Sequence, residues 1–114
     1  MTTNDPTLTR RLAGTFTEWF GAGRVKLQAP LTGGEDFSEF GRTTHRVPIC
    51  LWWVGATDPA KIAESERTGV PVPSNHSAIF APVPEPTLKA CVMSMSAAVL
   101  DLLRKTTAVK PDAR

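Results

Sequence analysis

The hydrophobic and polar positions along this chain change period several times, and each period predicts an element. Asp5-Pro6 opens a helix: a side-chain acceptor at the cap is followed by proline, whose missing N–H costs nothing in the first turn. Leu8, Leu12, Phe16 and Phe20 then recur every fourth residue, with Thr15 and Trp19 beside them, until Gly21 ends the run. One apolar stripe means this helix covers something. After Gly23, Arg24-Val25-Lys26-Leu27 alternates and predicts a short strand with one buried face.

The segment 47–54, "VPICLWWV", is continuously apolar between Arg46 and Gly55 and has no helical spacing. Such a run predicts a strand buried on both faces, and Pro48 is tolerated near its start. From Gly55 to Val83 the chain is rich in turn residues, with Asp58-Pro59, Gly69, Pro71, Pro73 and Pro82 as punctuation. Good helix formers between Pro59 and Arg67 predict one short helix there, followed by an ordered loop holding Ile79 and Phe80. A long helix is expected from Pro86 to about Lys105, with a frayed tail over 106–114. Leu88, Val92, Met95, Val99 and Leu102 form one stripe on it, while Ala90, Cys91, Met93, Ala97, Ala98, Leu100 and Leu103 spread apolar character round the rest. A core helix covered on more than one side is the direct reading. A chain of 114 residues offers little to cover it. The chain therefore reads as part of a larger fold.

Composition narrows the function classes. A net charge of +2, with arginines that form no run, gives no footprint for nucleic acid. No apolar run approaches the roughly 18 to 20 residues that cross a bilayer, and the first twenty residues lack the apolar centre of a signal peptide. Cys50 and Cys91 stand in apolar surroundings without metal-ligand spacing, which predicts two buried, reduced thiols and a cytoplasmic protein.

Two stretches carry candidate chemistry. "GGEDFSEFG" sets Glu35 and Asp36 directly after Gly33-Gly34, a common way to present acids near a ligand. The simpler reading has Asp36 capping a short helix whose Phe37 and Phe40 face the core, with Glu35 and Glu39 solvated. His76 lies between Asn75 and Ser77 in a loop stiffened by prolines. It is a metal-ligand candidate, and a hydrogen-bonded structural histidine fits the spacing as well. Asn75-His76-Ser77 also matches the glycosylation pattern, a chance match without a secretory signal. His45, between Arg42 and Arg46, reads as exposed. Metal sites of the hydrolytic kind need three or more protein ligands, and no spaced ligand pair occurs in this chain.

Taken in order, "GGEDFSEFG", "VPICLWWVGATDP", "PSNHSAIFAPVPEPTL" and the closing alanine-rich helix resemble the C-terminal end of a metal-dependent amidohydrolase. The family is that of hippurate hydrolase, the aminoacylase-type deacylases and the plant hydrolases of auxin–amino-acid conjugates. The opening "TTNDPTLTRRLAGTFTEWFG" resembles the segment after that family's lid domain, so the likeness extends to about Lys105. The resemblance implies an α/β fold: a three-layer fragment of an aminopeptidase-like catalytic domain, with a mixed sheet and flanking helices. It implies hydrolysis of an N-acyl amino acid or related amide by water activated on zinc or manganese. His76 would be the family's last metal ligand. Gly34, Glu35, Asp36 and Asn75 would lie on the substrate side.

The upstream metal ligands and the catalytic glutamate have no counterpart in this chain. As a C-terminal fragment it is expected to be inactive alone and to need a missing N-terminal half or another chain. The alternative is a non-catalytic remnant of the fold that binds a small ligand or pairs with another copy as a homo-oligomer. Neither reading involves nucleic acid or a membrane.

Overall fold

A computed structural model of the chain describes residues 1–31 and 35–104. Its elements are helices α1 (Pro6–Phe20), α2 (Ser38–Gly41), α3 (Pro59–Thr68) and α4 (Pro84–Leu103), with a 3-10 turn at Ala22–Arg24. Among the described residues there is no β-strand. The expected α/β fragment with a mixed sheet is therefore corrected to a helical chain with long irregular connections. The chain divides into two compact units, Met1–Leu51 with Met95–Arg114, and Trp52–Ser94.

In the first unit, α1 forms as its sequence dictates. Asp5 accepts the Leu8 N–H at 2.7 Å through Oδ1, and Pro6 occupies the first helical turn. Gly21 stops the helix with φ 87°, a value that glycine adopts without strain, and donates its N–H to the Thr17 carbonyl. Leu12 and Phe16 are buried, and Phe16 meets Phe20 edge-on with centroids 6.3 Å apart. At the C-terminal end of α4, Ala97 and Ala98 are buried, and one turn later Asp101 meets Arg11 of α1. Arg11 Nε donates to Asp101 Oδ2 at 2.6 Å, and Nη2 donates to the Asp101 carbonyl at 2.6 Å.

The irregular run 49–51 is tied to the start of α1. The Asn4 side-chain amide takes the place of a partner peptide: Nδ2 donates to the Leu51 carbonyl, and Oδ1 accepts the Leu51 N–H, both at 2.8 Å. The Asp5 N–H adds a bond to the Ile49 carbonyl at 2.8 Å. These three bonds explain why "VPICLWWV" departs from the predicted buried strand. A strand needs partners along its length, and this run has an amide and one backbone N–H over three residues. Val47 and Trp53, at 53% and 63% exposure, lie outside any core. The predicted strand at Arg24–Leu27 fails too: Arg24 closes the 3-10 turn, and Leu27 is 90% exposed.

In the second unit, α3 repeats the entrance of α1. Asp58 Oδ1 accepts the Ala60 N–H at 2.8 Å, Pro59 follows, and Gly69 in the left-handed region ends the helix. Trp52 Nε1 donates to Ser94 Oγ at 3.2 Å, and that hydroxyl donates to the Cys91 carbonyl. The Val83 N–H reaches the Ala56 carbonyl at 2.9 Å, which fixes the chain just before α4. Pro84 and Pro86 both fall in the first turn of α4, where no backbone N–H is required.

The side that α4 buries differs from the expected one. Ser94, Ala97 and Ala98 are buried, whereas Leu88, Val92, Met95, Val99 and Leu102 are all exposed. Cys91 is exposed as well, against the expectation of a buried thiol, while Cys50 is half-buried with Thr9 Oγ1 at 3.7 Å from its sulfur; both cysteines are free. With a mean hydropathy of 1.3 over its best 18-residue window, α4 is long and apolar enough to cross a membrane by length and composition. It meets that measure as a whole helix, although Lys89, Ser94 and Ser96 break any continuous apolar run within it. The predicted tail, 106–114, lies outside the described residues.

Candidate functional site

His76 sits at the tip of a tight turn in the second unit. The Ser77 N–H donates to the Ser74 carbonyl at 2.9 Å, and the Phe80 N–H donates to the Ser77 carbonyl at 3.0 Å. Ser77 Oγ accepts the Ile79 N–H at 3.3 Å, linking the two turns. Pro71 and Pro73 enter this stretch and Pro82 leaves it, so φ is preset on both sides. The result is a backbone that holds itself, with Asn75 and His76 both exposed. Neither ring nitrogen of His76 forms a hydrogen bond within the described residues. The reading as a hydrogen-bonded structural histidine therefore loses its support, and the imidazole is presented to whatever lies outside the turn.

The acidic stretch belongs to the first unit. Glu35 is exposed and turns back on its own backbone, with Oε1 accepting the Phe37 N–H at 2.7 Å. Asp36 is exposed, and its carbonyl, rather than its carboxylate, receives the Glu39 N–H at 2.9 Å. Phe37 stands at the cap of α2, so Asp36 does not cap that helix, and Phe40 is 66% exposed instead of facing a core. Glu35 and Glu39 are solvated, as the simpler sequence reading had it; Glu39 pairs with Arg42 at 2.7 Å. Gly34 lies outside the described residues. Across the remaining bend, Gly41 sits against Ile49, where a Cβ would fall 3.3 Å from Cδ1. His45 is exposed, and Arg46 adopts φ 44° as it closes a turn on the Thr43 carbonyl.

A zinc site draws on at least three protein ligands, and manganese asks for an oxygen-rich set. No group of three or more His, Cys, Asp and Glu side chains is assembled among the described residues. These residues therefore do not fit a complete metal centre, and no catalytic step can be routed through one. His45 is exposed and unengaged as well, so what sets His76 apart among the described residues is the proline-framed turn that holds it.

Sequence reasoning missed two features. The Asn4–Leu51 clamp joins residues 47 positions apart, and an asparagine near a helix start carries no sign of its distant partner. The other is a groove of about 420 Å³ in the first unit, lined by Thr15, Glu18, Trp19, Leu100, Asp101 and Arg104 among others. The every-fourth-residue pattern of α1 left Trp19 at the edge of its stripe, the one hint of this groove. None of the residues expected to bind metal or substrate lines it.

No family model, no curated protein and no solved structure matches this chain. What the structure defines is a helical chain with an exposed histidine turn.

Proposed function

We propose that this chain is the C-terminal part of a metal-dependent amidohydrolase, contributing one ligand, His76, to a metal site completed by residues outside the chain. The enzyme so formed would hydrolyse the amide of an N-acyl amino acid or a related small compound. The observation that carries the reading is the presentation of His76: a self-supporting turn, framed by prolines, that leaves both imidazole nitrogens unengaged. An imidazole held this way suits a ligand role, in which one nitrogen binds metal and the other finds an orienting acceptor. The order of the sequence motifs supplies the reaction class. The helical architecture does not contribute to it, since the family's α/β sheet is not what these residues form.

Glu35, Asp36 and Asn75 are exposed and keep their proposed substrate-side role only in the completed enzyme. The missing ligands and the general base are assigned to a separate polypeptide segment.

The test is to isolate the tagged chain from its own cells with whatever it binds, and to assay hydrolysis of N-benzoylglycine and N-acetyl amino acids. Hydrolysis by the complex, absent from the isolated chain and lost with His76→Ala while the complex stays intact, is the expected result. A complex that hydrolyses these amides equally well with His76→Ala removes His76 from the site. A complex with no amide hydrolysis at all removes the reaction class.

A further inference from the structure

We draw no further inference here: the strongest candidate, the groove between the C-terminal ends of α1 and α4 lined by Trp19, Glu18, Leu100, Asp101 and Arg104, is an open face whose carboxylates are matched by Arg104 and by the Arg11 paired with Asp101, and nothing in the structure shows what covers it.

Discussion

Replacing Asn4 by alanine isolates the contact that joins 49–51 to α1. Asn4 makes two bonds to Leu51, one from each end of its amide, both at 2.8 Å in partly buried surroundings. A typical hydrogen bond contributes about 0.5–1.5 kcal/mol net, so losing both should cost about 2 kcal/mol. The figure rises if the Leu51 N–H and C=O stay out of reach of water, because each then bears its own desolvation cost. The Asp5–Ile49 backbone bond survives the substitution, and by itself it leaves Leu51 free to swing away. Asn4→Asp refines the test: the carboxylate still accepts from the Leu51 N–H but faces the Leu51 carbonyl with no proton to donate at neutral pH. It should be no better than alanine. Urea unfolding followed by circular dichroism would read the loss as a midpoint lowered by about 1 M or more, for a slope of about 1–2 kcal/mol/M. Amide exchange at Leu51 should quicken in parallel. A midpoint unchanged within about 0.2 M, with Leu51 still protected, would refute the clamp.

Two further substitutions test local chemistry. Arg46→Gly removes a side chain from a residue at φ 44° and should raise stability by about 0.5–1 kcal/mol, less whatever glycine's extra unfolded-state freedom takes back, read as a higher calorimetric midpoint. Asp58→Ala strips α3 of its cap bond to the Ala60 N–H and should cost about 1 kcal/mol of helix stability, with exchange quickened first at Ala60 and Lys61.

Where the sequence carries its own punctuation, structure obeys it. The aspartate–proline pairs before α1 and α3, and Gly21 and Gly69 after them, act within a turn of themselves, and both helices form where expected. The start of α4 shifts only from Pro86 to Pro84. "VPICLWWV" failed because a strand is a property of two segments, and apolar content in one says nothing about whether a partner is within reach. The buried side of α4 was misjudged for a related reason. Large residues mark surface that is worth burying, yet Ser94, Ala97 and Ala98 take the enclosed positions and the larger stripe stays open. Of the candidate site, the proline-framed loop around His76 was legible, whereas the spacing left a ligand and a hydrogen-bonded structural histidine equally open; the exposure of His45 was read correctly. The capping role expected of Asp36 was not, since Phe37 rather than Asp36 occupies the cap of α2.

The central claim is that His76 is a metal ligand in a site shared with residues outside this chain. It is tested most directly by metal content per chain in the complex isolated from its own cells, wild type beside His76→Ala. The account predicts close to stoichiometric zinc or manganese in the wild-type complex, and a loss of at least tenfold in the variant with its partner still bound. Equal metal in both would contradict it, as would a wild-type complex that carries neither zinc nor manganese.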